Sequence, residues 1–144
     1  MLNARIATEH WHVTYFEWTA DVEVGHAQID EEHKRMFALA EAVVEPLFFS
    51  ADQQPKEAPL QALIDFTRVH FAHEEELMRA SAYPEAESHA RYHASLVKEL
   101  ETYCARVRGR SNTNPAGLVA YLWNWLVVHI HSADRELGEW LASH

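Results

Sequence analysis

The stretch His70-Phe71-Ala72-His73-Glu74-Glu75-Glu76-Leu77-Met78 decides how the rest of the chain is read. As a helix it puts His70 and Glu74 one turn apart on the same face, at the i, i+4 spacing where two side chains reach a common point. An imidazole and a carboxylate converging from one helix form part of a metal site. Three other segments carry matching donors, so the chain reads as a scaffold for a two-metal site.

Working outward, the helix holding this stretch is expected from Pro59, suited to a first helical position, to about Ala80. Leu63, Phe66, His70, Glu74 and Leu77 fall on one side of it. A polar loop, 50–58, separates it from a preceding helix over Ala27 to Glu45, which Pro46 stops or kinks. There Ile29, His33, Met36, Phe37, Ala40 and Val44 share a face, and the acidic opening turn (Asp30, Glu31, Glu32) suits the positive end of the helix dipole. On the other side, Tyr83-Pro84 begins a third helix that runs to Arg108 and ends at Gly109. Its inner face reads His89, His93, Leu96, Leu100, Tyr103 and Val107, with the two histidines again four apart.

Asn114 can cap, and Pro115 can start, a fourth helix running nearly to the end of the chain. Its apolar face centres on Leu126, flanked by Leu122, Ile130, Ala133 and Leu137. His129 and Asp134 lie roughly 140° apart on an ideal wheel, one on each margin of that face. Either Asp134 reaches in from its margin, or the helix widens in a π-type turn that brings an i, i+5 pair closer to alignment. Ahead of all four helices, residues 1–25 form an arm with Trp11, Tyr15, Phe16 and Trp18, expected to cover apolar surface of a bundle made by residues 26–144.

Composition supports helices and one domain. With 144 residues the chain is long enough for its own core, and Gly 4 and Pro 5 are few for a turn-rich β protein. A net charge of -10 argues against nucleic acid or an anionic membrane as partner. The single cysteine, Cys104, has no internal partner for a disulfide. The most apolar stretch, Leu118 to Ile130, spans 13 residues and contains Asn124 and His129, too short and too polar for a membrane span. No targeting signal is apparent, so the cytoplasm is the expected location.

The inward set is His33, His70, Glu74, His89, His93, His129 and Asp134. A lone histidine on an amphipathic helix is more often a core-edge residue, but five supplied by four helices, with two carboxylates, are not independent accidents. Seven donors exceed one tetrahedral zinc and are too rich in nitrogen for calcium or magnesium. They suit two adjacent first-row ions bridged by Glu74 and Asp134, and ligand type alone leaves iron, manganese and zinc open.

The segments Ile29-Asp30-Glu31-Glu32-His33-Lys34, His70-Phe71 with Glu74-Glu75 and Leu77-Met78, Tyr83-Pro84 with His89 and His93, and Trp125-Leu126 with His129-Ile130 and Asp134 together resemble the hemerythrin family, its single-domain bacterial members above all. The resemblance runs from about Trp18 to Leu137. It implies an all-α, antiparallel up-down-up-down four-helix bundle with a non-haem di-iron site. It further implies His89, His93 and His129 on one iron and His33 and His70 on the other, with Glu74, Asp134 and a solvent-derived oxo or hydroxo group bridging them. The iron with two histidines keeps an open position for O2. Glu32 stands where many relatives carry glutamine.

Binding is favoured over oxidation chemistry, because five neutral imidazoles and two carboxylates stabilise highly oxidised iron less than glutamate-rich sites do. Phe37, Phe66 and Leu126 are expected to line an apolar pocket for O2. The expected function is reversible O2 binding for carriage, storage or local delivery, without enzymatic turnover. Two alternatives are a sensor acting through a protein partner, and a di-iron protein that handles peroxide, nitric oxide or iron. His73 is expected at the surface, Glu75 and Glu76 on the solvated side of their helix, and His10, His12, His26, His131 and His144 in solvent.

Overall fold

Proline and glycine stand where helices start and stop, and the helices between them are long. The computed structural model describes residues 13–144. Four long antiparallel helices form a bundle, and no strand occurs among the described residues. Helix α1 spans Ala27–Val44, α2 Glu57–Ala80, α3 Ala86–Val107 and α4 Pro115–His129. A π-helical segment, Ile130–Asp134, joins α4 to a final helix, α5, at Arg135–Ser143. The wide turn is therefore the solution the chain adopts for the offset between His129 and Asp134.

Local chemistry accounts for the ends. Asn114 caps α4, its side chain accepting from the Ala116 amide at 3.2 Å, with Pro115 at the first helical position. Gly109 follows α3 with φ +69, a conformation that costs glycine little. Helix α1 is capped by His26, whose Nδ1 accepts from the Ile29 amide at 3.3 Å, so this histidine is half-buried at a helix end rather than in solvent. Pro46 lies in a short 3-10 turn, Glu45–Phe48, that prolongs α1. Helix α2 starts at Glu57, two residues ahead of Pro59. The proline costs nothing there, since the amides of a first turn have no intrahelical partner.

The core comprises Ile29, Met36, Phe37 and Ala40 of α1, Leu60 and Leu63 of α2, Leu96 and Leu100 of α3, and Leu118, Leu122 and Leu126 of α4. On α2 the buried stripe differs from the expected one. Thr67, Phe71 and Met78 are buried, while Phe66 and Leu77 are only partly so. Thr67 can be buried because its hydroxyl donates to the Leu63 carbonyl at 2.8 Å. Cys104 is buried too, and burial pushes its thiol up to about 11, so it packs as a small apolar group.

The described part of the arm lies along the bundle. The amides of Tyr15 and Phe16 donate to Glu41 Oε1 at 2.7 and 3.0 Å, and those of Val24 and Gly25 donate to the Asp30 carboxylate at 2.7 and 3.2 Å. Phe16, Val22 and Val24 are buried. On α5, a Cβ added at Gly138 would stand 2.3 Å from the Val24 carbonyl oxygen, so glycine lets the arm's backbone touch the helix. Arg135 donates to the Asp21 carbonyl at 2.6 Å beside that contact. The arm's first half, with His10, Trp11 and His12, lies outside the described residues. Among the described residues no helix is long and apolar enough to cross a membrane.

Candidate metal centre

The inward faces of the helices bring His33, His70, Glu74, His89, His93, His129 and Asp134 together, all buried. Six of them form two groups of four whose donor atoms lie within 4.8 Å of one another: His33, His70, Glu74, Asp134, and Glu74, His89, His93, Asp134. The two carboxylates belong to both groups. Glu74 turns Oε2 toward His70 and His33 (2.8 and 3.6 Å to Nε2) and Oε1 toward His93 and His89 (2.9 and 3.2 Å). Asp134 divides its oxygens likewise, Oδ2 at 2.9 Å from His33 Nε2 and Oδ1 at 3.1 Å from His89 Nε2.

His129 belongs to neither group of four. Its Nε2 lies 3.4 Å from Asp134 Oδ2, the oxygen that also faces His33, so it stands at the margin of both. The π segment carries Asp134 back over His129 far enough for this approach.

Glu74 Oε1 is hydrogen-bonded to His89 and His93, but most of the other short separations here are not good hydrogen bonds. Nε2 of His33, His70 and His129, Glu74 Oε2 and both oxygens of Asp134 are buried without an aligned partner. A buried polar atom left unpaired costs about 1–3 kcal/mol, and a cluster of them is unusual in a folded protein. Atoms that sit close together yet point past one another are aimed at a common third body. A cation satisfies all of them at once, so the donor set fits metal ions held between imidazole and carboxylate.

Electrostatics among these groups points the same way. Burial disfavours a charged His70, but the Glu32 and Glu74 carboxylates outweigh it and raise its pKa to about 9. Burial is likewise outweighed at His89, which Asp134 and Glu74 raise to about 9. At His129 burial prevails and the pKa falls. Glu74, although burial pushes it up, is held well below the usual carboxylate range by four surrounding imidazoles. Both carboxylates remain anionic, and metal binding at such a cluster displaces imidazole protons.

Outer partners fix the rings. His129 donates from Nδ1 to the Trp125 carbonyl at 2.9 Å, His93 to Glu75 at 3.0 Å and His70 to Glu32 at 2.7 Å. Glu75 is thus half-buried against His93 rather than wholly in solvent. Phe71, which periodicity alone did not single out, stacks on His93 with ring centroids 3.9 Å apart and meets His129 edge-on at 5.7 Å. Its signal was available in the run Leu63, Thr67, Phe71 at four-residue spacing. Of the three expected pocket residues, Leu126 and Phe37 are buried, the latter among Phe16, Trp18 and Trp123. Phe66 is half-buried, its ring 5.1 Å from the Arg35 guanidinium at the edge of the bundle.

Comparison with known proteins places the chain beside proteins of one family. A family model described as Hemerythrin HHE cation binding domain matches residues 24–141. A bacteriohemerythrin of Stenotrophomonas maltophilia is 27% identical over 130 residues, covering 88% of this chain and 82% of the relative. A myohemerythrin of Sipunculus nudus is 31% identical over 120 residues, covering 83% and 88%. A hemerythrin-like protein of Naegleria gruberi is 29% identical over 121 residues, covering 84% and 89%.

Proposed function

The chain belongs to the hemerythrin family, and from that premise we propose that it binds O2 reversibly at a non-haem di-iron centre, for carriage, storage or local delivery. The observation that carries this reading is the pair of buried carboxylates, each offering one oxygen to either group of histidines. In this reading His33 and His70 would hold one iron, His89, His93 and His129 the other, and Glu74 and Asp134 would be shared between them. When bound, the iron pair would supply the electrons for reversible O2 binding.

The chain's own residues favour release over reaction. Imidazoles outnumber carboxylates, which limits the negative charge available to stabilise highly oxidised metal. Phe71 and Leu126 keep the interior apolar, admitting a small neutral gas while excluding water and anions. Phe37 is buried against Phe16 and Trp18 of the arm, and Phe66 packs at the outer edge of the bundle. Nitric oxide and peroxide are the competing small ligands such a site would meet. The lone thiol of Cys104 and the need to keep iron reducible suit the cytoplasm. Leu126→Ala should open a path for water and speed autoxidation, followed as loss of the oxygenated spectrum with time; an unchanged rate would remove Leu126 from this role.

The deciding experiment is anaerobic reduction of the iron-loaded protein, with optical and resonance Raman spectra recorded as O2 is admitted and withdrawn. A charge-transfer band that appears and disappears with O2 is the expected result. Immediate irreversible oxidation would overturn reversible binding and favour redox sensing or peroxide chemistry.

A further inference from the structure

His73 takes no part in the function proposed above, yet it ends a chain of short contacts that begins inside the site. Glu32 of α1 reaches across to α2 and accepts from two imidazoles. Its Oε1 lies 2.7 Å from His70 Nδ1 and its Oε2 lies 2.6 Å from His73 Nδ1. An ionised carboxylate only accepts, so both rings carry a proton on Nδ1, and Nε2 is the His70 nitrogen turned toward Glu74 and the metal position. Exposure rises along the chain, from 0% for the His70 side chain to 14% for Glu32 and 47% for His73.

On the other histidine of this half, His33, Nδ1 is buried without a partner among the described residues. Within them, all the outer hydrogen bonding of the two-histidine half therefore falls on Glu32. Besides the two imidazoles, Glu32 has, among the described residues, only Gln28 Nε2, at 3.3 Å and in the open. Without a strong second donor its outer oxygen would turn to water, and a flexible glutamate would leave His70 part of the time.

We propose that His73 is a positioning residue for the metal centre: its Nδ1–H clamps Glu32 against His70, which fixes the tautomer and aim of that ligand and slows escape of the iron it holds. The inference rests on the di-iron reading and concerns geometry, so it separates from the charge Glu32 supplies. His73→Ala removes the donor. His73→Asn keeps it, because the asparagine amide nitrogen occupies nearly the place of imidazole Nδ1. As His73 is exposed, neither change disturbs the core.

The test uses the full chain loaded with Fe(II) under anaerobic conditions. Two readouts are needed: exchange with solvent of the iron-shifted His70 Nδ1–H in proton NMR, and the rate of iron loss to a ferrous chelator. His73→Ala should accelerate both by roughly tenfold, the lower end of what outer-contact losses cost metal sites, while His73→Asn stays near wild type. Equal rates in His73→Ala and wild type, or an asparagine variant as fast as the alanine one, would overturn the proposal. A wild-type chain that takes up no iron pair overturns the di-iron reading itself, and the role of His73 with it.

Discussion

Replacing Glu74 with alanine is expected to leave a helical chain that no longer retains a pair of ions. This one carboxylate faces four imidazoles, two in each group, at 2.8 to 3.6 Å. Its removal takes one donor from each ion and also the negative charge that lets two cations sit side by side. Losing an outer contact costs a metal site about 10–100-fold in affinity; losing a shared direct donor should exceed that for each ion. Glu74→Gln preserves volume and one acceptor, so it should keep the fold equally well and still fail to bridge. Metal content after desalting, beside far-UV circular dichroism, checks the pair. Two irons per chain retained in Glu74→Ala would remove Glu74 from the bridging position.

Stripping the metal from the wild-type chain should produce the second large change, in stability. Helices α1, α2 and α3 and the π segment supply the two groups, and His129 of α4 stands at their margin, so ions there tie together every long element of the fold. An ion present at 100 times its dissociation constant stabilises by about 2.7 kcal/mol, so two independent ions contribute about 5 kcal/mol. For a chain of this length that corresponds to a fall in Tm of about 15 °C on chelation. The buried atoms without aligned partners are one source of that affinity, since without a cation each bears its own desolvation cost. Calorimetry with and without chelator measures it, and coincident melting curves would mean that the cluster holds no ions.

Much of this was legible in the chain. Proline, glycine and asparagine marked helix ends because their backbone chemistry acts locally. Two starts were misplaced: Pro59 by two residues within a first helical turn, and Tyr83-Pro84, which lie in the turn ahead of a helix that begins at Ala86. The inward residues of α1, α3 and α4 followed from a 3.6-residue period. Helix α2 was harder, because it packs against both α1 and α3 and so buries two stripes; Phe71 and Met78 belong to the second. Glu32 and Glu75 escaped for a different reason. Each acts on a histidine of another helix, and the period of one helix says nothing about its rotation against the next. The π turn was one of two readings that the wheel allowed, since composition does not encode which carbonyl an amide selects.

The contact of Val24 with Gly138, and of Asp21 with Arg135, also ties the arm to the metal centre. Asp134 ends the π segment immediately before Arg135, and Gly138 lies three residues further on, so one short stretch of chain holds both the shared carboxylate and the seam with the arm. A side chain at Gly138, four residues from Asp134, would press on the Val24 carbonyl, and a change outside the site would then act on one of its two shared carboxylates.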